Sequence, residues 1–314
     1  MHFSTILFVT MLLVACETDV PRRASFAMEW KPIDALNAEL PKGVRVYSGR
    51  DNTVPLKAWF VTVDGNNSDI ESRIVVSDDT TDNLETVSSF AQDMGAHIVV
   101  NGGFFVMNEK PARHAGLLVM NGRLIAPATR SVLRDSSRYE VARAALGFTD
   151  SLGADIAWVT SRKGRLYSWI SAPDHRPGQP ADVLDYNEAT PWAVNQAIGA
   201  GPVLLKEGEV HVSSDQEVFF GTSIPSVHPR TAVGLKADGS VILMVVDGRQ
   251  SDSRGVYLEE LALLMREAGA VEAMNLDGGG SSTLVVNNTL VNRPAGGTDE
   301  REVMSAIAVM SKRQ

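Results

Sequence analysis

Residues 274–286, "MNLDGGGSSTLVV", place the carboxylate of Asp277 directly before three glycines and two serines. Glycines at the end of a buried strand let the backbone approach a ligand closely and reach positive φ. Successive free N–H groups there form an anion-binding concavity. Ser281 and Ser282 can add hydroxyl donors, and Gly278, Gly279 and Gly280 supply the bare backbone. Asp277 at the rim can act as base, nucleophile or metal ligand. The same residue types also suit a plain glycine-rich hairpin with Asp277 capping its turn.

Three further stretches carry residues of the same kind. "HPRTAVG" puts Arg230 just before an apolar run, and Arg is the side chain best shaped for phosphate or carboxylate. "MVVDGRQSDSRG" ends an apolar strand at Asp247 and follows it with Gly248 and Arg249. "NGGFF" offers Asn101, Gly102 and Gly103 beside Phe104 and Phe105, which could flank a sugar ring. Each has a structural alternative: an Arg in a surface salt bridge, an Asp-Gly turn, two core phenylalanines. Other chemistries are excluded. The chain has no HExxH, no paired Cys/His metal spacing, no P-loop, no dinucleotide fingerprint and no closing Gly for a nucleophile elbow. No cofactor is implied. Asp247 and Asp277 with a phosphate could bind a divalent cation, though nothing in their spacing demands one.

Strand-turn-strand patterns dominate the elements that must hold these residues. Turns fall at Asn121-Gly122, Glu207-Gly208, Asp238-Gly239 and Asn287-Asn288, each between apolar runs. The sheet is therefore expected to be antiparallel or mixed. Two helices stand out. Leu84, Val87, Phe90, Ala91 and Met94 share helical spacing ahead of Gly95, and Leu258, Leu261, Ala262 and Met265 do so ahead of Gly269. A short apolar run follows each helix, and then a polar residue with glycines: "NGGFF" after the first, "DGGGSS" after the second. The expected fold is α+β: a β-rich mixed sheet with several hairpins and a few packed helices, in one domain. A short helix is expected near residues 34–39. Within residues 126–190, the least readable part, "PATRSVLRDSSRYEVARAA" and "SAPDHRPGQPADV" read as loops or insertions.

The bulk numbers agree with a globular protein. Of 314 residues 44% are hydrophobic, enough for a sizeable core, and the net charge of -9 disfavours non-specific nucleic-acid binding. Residues 3–15 are almost wholly apolar, too short to span a bilayer and suited to a signal-peptide core. They end in Leu13-Val14-Ala15-Cys16, which resembles a bacterial lipobox, and Cys16 is the chain's single cysteine. The expectation is a signal peptide over 1–15, lipidation at Cys16, a tether over 16–43 and a globular domain over 44–314. Acyl chains would then hold the domain at a bilayer in the cell envelope.

Taken in order, "VVNGGFF", "GAGPVLL", "HPRTAVG", "VVDGRQ", "SRGVYLEELALLMREAGAVEAMNLDGGGSSTLVV" and "NRPAGGTDEREVMSAIAV" resemble the phosphodiester glycosidase family over roughly residues 44–311. The resemblance implies cleavage of a sugar-1-phosphodiester, of the N-acetylglucosamine-1-phosphate type, at the anomeric C–O bond in a phosphorylated glycan. The substrate is an anion. Arg230, Arg249, the Gly278–Gly280 amides, Ser281 and Ser282 would hold the phosphate, with Asn101, Gly102 and Gly103 near the sugar. Glycoside hydrolysis commonly uses two carboxylates, and Asp277 and Asp247 are the expected pair. Arg301 is a second phosphate candidate. Glu259 is a weaker site candidate, since the helix macrodipole accounts for an acid in the first turn. Two readings compete: a non-catalytic envelope glycan-binding lipoprotein, and a metal-dependent phosphodiesterase that breaks the P–O bond.

Overall fold

The structure is a computed structural model that describes residues 25–149, 153–297 and 299–312. The expected signal segment and Cys16 lie outside the described residues.

Three antiparallel sheets build a β-rich α+β domain. The largest runs in the order Met28–Pro32, Val44–Asp51, Leu56–Val63, Val241–Val246, Arg230–Leu235, Glu272–Asn275, Val203–Lys206, Glu209–Val210. A seven-stranded sheet is centred on Arg143–Phe148 between Ala154–Arg162 and Gln196–Gly199. A five-stranded sheet runs Thr289–Leu290, Leu284–Val286, Ile98–Asn101, Ser305–Ser311, Ile70–Val76.

Of the two arrangements that the turns allow, antiparallel and mixed, the described residues adopt the first: every strand pair among them is antiparallel. The physical reason lies in the two helices. Helix Leu258–Glu267 carries the chain from Val241–Val246 to Glu272–Asn275, and these strands do run parallel. Arg230–Leu235 lies between them and pairs antiparallel with both. Helix Val87–Met94 likewise links Ile70–Val76 to Ile98–Asn101, with Ser305–Ser311 filling the gap. The two helix-then-strand echoes in the sequence are thus the same device used twice.

Burial explains the composition of the central strands. In "VILMVV", Val241, Leu243 and Val245 face the core shared by the sheets, whereas Ile242, Met244 and Val246 pack under helix Leu258–Glu267. A strand buried on both faces reads as a continuous apolar run instead of an alternation. The helix is opened by Glu260, whose carboxylate accepts from the Tyr257 backbone N–H at 2.9 Å. The shorter helix is opened by the Thr86 side chain and closed by Gly95 at φ +60°.

All four expected hairpins form, with positive φ at the turn positions that Asn and Gly tolerate, such as Asn121 (+51°) with Gly122 (+68°) and Asn287 (+44°) with Asn288 (+60°). The expected short helix spans Asp34–Asn37. Two expectations change. The segment expected to be a tether enters the fold at Met28–Pro32, the edge strand of the large sheet, because Trp30 packs edge-on to Phe60 at 4.8 Å. Residues 127–145, expected to be loop, are part strand: Ser131–Arg134 and Ser137–Glu140 form a hairpin that seats Tyr139 in full burial. The other expected loop, residues 171–183, holds no strand and is irregular.

Candidate active site

The two glycine-rich loops meet. Asp277 N–H donates to the Gly102 carbonyl at 3.0 Å, and Asn101 Nδ2 donates to the Asp277 carbonyl at 2.7 Å. Asn101 is fully buried; its Oδ1 accepts from Thr231 Oγ1 at 2.6 Å and from the Thr283 N–H at 3.2 Å. Its side chain is consumed in joining the five-stranded sheet to the large one.

Above this staple opens a cleft of about 150 Å³, lined among others by Phe104, His228, Arg230, Arg249, Asn275 and Asp277, with Gly278, Gly279, Gly280 and Arg301. The glycines have a packing cause. A Cβ on Gly278 would lie 2.9 Å from the Pro229 carbonyl oxygen, one on Gly279 3.2 Å from Arg249 Nη2, and one on Gly280 2.6 Å from Arg301 Cζ. The loop is bare so that the strand bearing Arg230 and two guanidinium groups can lie against it.

Asp277 is the one carboxylate lining the cleft among the described residues. Burial pushes it up to about 6, opposed by the neighbouring Ser281 hydroxyl, by the Gly278 N–H that donates to Oδ1 at 2.9 Å, and by the charge of Arg301. The Ser281 hydroxyl is itself buried and makes no well-aligned hydrogen bond. Arg230 is 2% exposed and burial pushes it down to about 9, so it stays charged at neutral pH. It donates to the Val256, Ile224 and Ser226 carbonyls, which fixes the wall of the cleft. Arg249 Nη2 donates to His228 Nδ1 at 3.1 Å while His228 Nε2 donates to the Ser223 carbonyl at 2.8 Å. Burial and the two arginines hold His228 below the usual imidazole range, so it is neutral with both nitrogens committed. Arg301 is exposed and, among the described residues, forms no hydrogen bond or salt bridge.

The structure therefore brings Asp277, Arg230, Arg249, Arg301 and the three glycines together. It does not bring the others. Asp247 lines no part of the cleft: it is 1% exposed, and its carboxylate accepts from Asn292 Nδ2 at 3.0 Å and from the Arg293 N–H at 3.1 Å, holding the far side of the glycine-rich loop. Asn101, Gly102 and Gly103 lie behind the cleft as a staple and as close-packing positions; a Cβ on Gly103 would meet the Gly199 carbonyl oxygen at 2.5 Å. Ser281 and Ser282 are fully buried beneath the loop. Glu259 sits in the first helical turn, where its charge bears on Arg230 without reaching the lining.

Sequence reasoning missed Asn275. It lines the cleft, its Nδ2 donates to the Gly201 and Leu276 carbonyls, and its buried Oδ1 has no partner. An unpaired buried acceptor is costly, and this one belongs to a residue that lines the cleft. The signal available was a polar residue inside an apolar run, two positions before Asp277 and hence on the same strand face. Among the described residues no cluster of His, Cys, Asp and Glu is arranged to hold a metal ion.

Comparison with known proteins places this arrangement. The sequence model of the phosphodiester glycosidase family matches residues 94–310. N-acetylglucosamine-1-phosphodiester alpha-N-acetylglucosaminidase of Mus musculus is 29% identical over 219 residues, 67% of this chain and 35% of that protein. An uncharacterized prophage-derived protein of Bacillus subtilis is 35% identical over 82 residues, 26% of this chain and 13% of its own. This chain thus spans about a third of the length of the mammalian relative. Among solved structures, the zebrafish catalytic domain of the same enzyme name, auto-inhibited by its pro-peptide, has a TM-score of 0.57 at 19% identity, covering 94% of this chain and 87% of that one. A hypothetical protein from Synechocystis gives a TM-score of 0.60 at 17% identity, covering 88% and 65%. These likenesses establish the shared fold.

Proposed function

This chain belongs to the phosphodiester glycosidase family, and from that premise we propose that it hydrolyses the anomeric C–O bond of a sugar-1-phosphodiester of the N-acetylglucosamine-1-phosphate type. The observation that carries the reading is that three arginines line one cleft with a single carboxylate whose pKa is raised to about 6. Arg249 and Arg301 clamp the phosphate, and buried Arg230 adds positive potential behind them. Asn275 Oδ1 accepts from the sugar's N–H or a hydroxyl, and Phe104 packs against the ring.

The leaving group decides the rest. A phosphate monoester departs without general-acid help, so the clamp stabilises the charge that develops on its oxygen. The second carboxylate usual in glycoside hydrolysis is not needed as an acid. A retaining route would leave a glycosyl-enzyme with no second carboxylate in the cleft to activate water. Asp277 therefore serves as the base: its ionised carboxylate takes a proton from water as the water oxygen bonds to the anomeric carbon. The C–O bond breaks and its electron pair leaves on the phosphate oxygen, with inversion at carbon. A non-catalytic binder gains nothing from a carboxylate facing an anionic ligand, which weighs against that reading. The apolar start ending at Cys16 extends the proposal to an exported enzyme, lipid-anchored in the cell envelope and acting on envelope or exopolysaccharide glycans.

The test is to incubate the EDTA-treated protein with α-N-acetylglucosamine-1-phospho-methyl ester in oxygen-18 water. Label in the sugar supports C–O cleavage, and proton NMR then reads the anomer released. Label in the phosphate overturns the mechanism in favour of P–O cleavage, and activity that EDTA abolishes brings the metal-dependent reading forward.

A further inference from the structure

Outside the cleft, three arginines without a salt bridge among the described residues line a groove of about 500 Å³ between the hairpin Ser131–Arg134/Ser137–Glu140 and the irregular stretch that includes Tyr186. We propose that this groove is a second, non-catalytic anion site that holds a phosphodiester-linked saccharide chain.

Arg130, Arg138 and Arg162 converge there, on a molecule whose net charge is -9. All three are exposed, and among the described residues none forms a salt bridge. Glu140 is the one acidic residue in the lining, which leaves the groove cationic. Arg162 is held in place: its guanidinium lies over the Tyr186 ring at 4.4 Å, and that ring is fixed edge-on by Tyr167 at 5.3 Å and Trp169 at 5.4 Å. A guanidinium stacked on an aromatic face keeps its N–H edge free and pre-aimed, which suits bidentate contact with phosphate. The groove floor adds a polar group that wants a partner. Thr160 is 1% exposed and its buried Oγ1 has none. Val183, 73% exposed at the rim, gives an apolar surface for the C–H face of a sugar ring. Spaced cations, a hydroxyl and apolar rim together fit alternating phosphates and sugars.

The groove shares no residue with the cleft but is mechanically tied to it. Arg134 Nε donates to the Phe220 carbonyl at 3.2 Å, and Tyr139 packs edge-on to Phe220 at 5.4 Å. Ser223 and Ile224, a few residues on, line the cleft. A polymer seated in the groove is thereby kept beside the residues that process it, which raises its effective concentration at the cleft.

The ligand class rests on the function proposed above, so the test separates the two. Binding is measured by calorimetry on the Asp277→Asn chain, which does not consume ligand, with a short polymer of N-acetylglucosamine joined through 1-phosphodiester bonds as the probe. The expected result is salt-sensitive binding that the triple variant R130A/R138A/R162A weakens by about tenfold or more. Tyr186→Ala, which releases Arg162, is expected to weaken it measurably. In the otherwise unaltered chain the triple variant should leave hydrolysis of the small methyl ester unchanged and slow hydrolysis of the polymer. Should the triple variant melt early, Arg130→Ala and Arg138→Ala singly replace it. Polymer affinity and stoichiometry left unchanged by the arginine substitutions overturn the proposal, since binding at the cleft alone then accounts for them. So does dextran sulfate binding as tightly as the polymer with no effect of Tyr186→Ala, since that marks a generic polyanion patch. Absence of any hydrolysis would sink the enzymatic reading and leave the binding result intact.

Discussion

Asn101 Nδ2 lies 2.7 Å from the backbone carbonyl of Asp277, so a side chain at the end of one sheet sets the position of the cleft's carboxylate at the end of another. The same Asn101 accepts from Thr231 and Thr283 through Oδ1. Asn101→Ala strands buried groups on three segments at once. It is expected to lower stability by about 2–4 kcal/mol, read as a drop in the urea midpoint, and to lower kcat with it. A variant with unaltered midpoint and turnover would contradict the staple.

Asp277→Asn is expected to cost turnover about 10³-fold or more while the fold persists, as for loss of a general base. In the unaltered protein kcat/KM should rise with pH through about 6 as Asp277 ionises.

The same raised pKa makes a stability prediction with a definite sign. The native state binds the Asp277 proton more tightly than the unfolded chain does. This contribution to stability is fully present below the ordinary value of 3.8 and is lost as pH rises through about 6. Removing the charge in Asp277→Asn should then stabilise the protein at pH 7 by about 2 kcal/mol, allowing for the carboxylate's solvent-facing edge. Thermal melts at pH 4 and pH 7 check it: the gain should shrink towards the lower pH.

Asp247→Asn separates the two aspartates. An Asn at this position still offers an oxygen to Asn292 and the Arg293 N–H, so activity is expected to stay within about tenfold of the parent. A loss as large as that of Asp277→Asn would return Asp247 to the chemistry.

Gly280→Ala tests the clamp. The added Cβ would sit 2.6 Å from Arg301 Cζ and 2.9 Å from Nε, so the guanidinium must swing away. The obstacle is the end of a flexible side chain, so stability should change by less than about 0.5 kcal/mol. KM for the phosphodiester should rise about tenfold, the loss of a charge-assisted contact. An unaltered KM would mean Arg301 does not hold the phosphate.

Much of the fold was legible because its signals are local. Asn121-Gly122 and Asn287-Asn288 announce their turns through the backbone conformations those residues tolerate. The stripe Leu258, Leu261, Ala262, Met265 announces its helix by period. The choice between antiparallel and mixed pairing was not legible, because it depends on which strand fills the gap under each helix: Arg230–Leu235 inserts beside Glu272–Asn275, and Ser305–Ser311 comes from the far end of the chain to lie between Ile70–Val76 and Ile98–Asn101. Residues 127–145 were misread as loop because "RSVLRDSSRYE" hides its turn at Asp135-Ser136, φ +44° and +67°, without the Gly that usually marks one.

The site divides along the same line. That Asp277 stands beside a bare loop near arginines follows from the order of residues alone, since type and adjacency are properties of one stretch. Which polar groups face the cleft was settled by long-range packing. Asp247 and Asn101 look as exposed as Asp277 on paper, yet both are buried and spent on partners within the fold. Asn275 looks like a strand residue, yet it lines the cleft and keeps a buried acceptor without a partner. The reason is that a polar side chain's role depends on whether its hydrogen-bonding capacity is already satisfied, and the satisfying partners come from other segments of the chain, 45 residues on for Asp247 and 130 or more for Asn101.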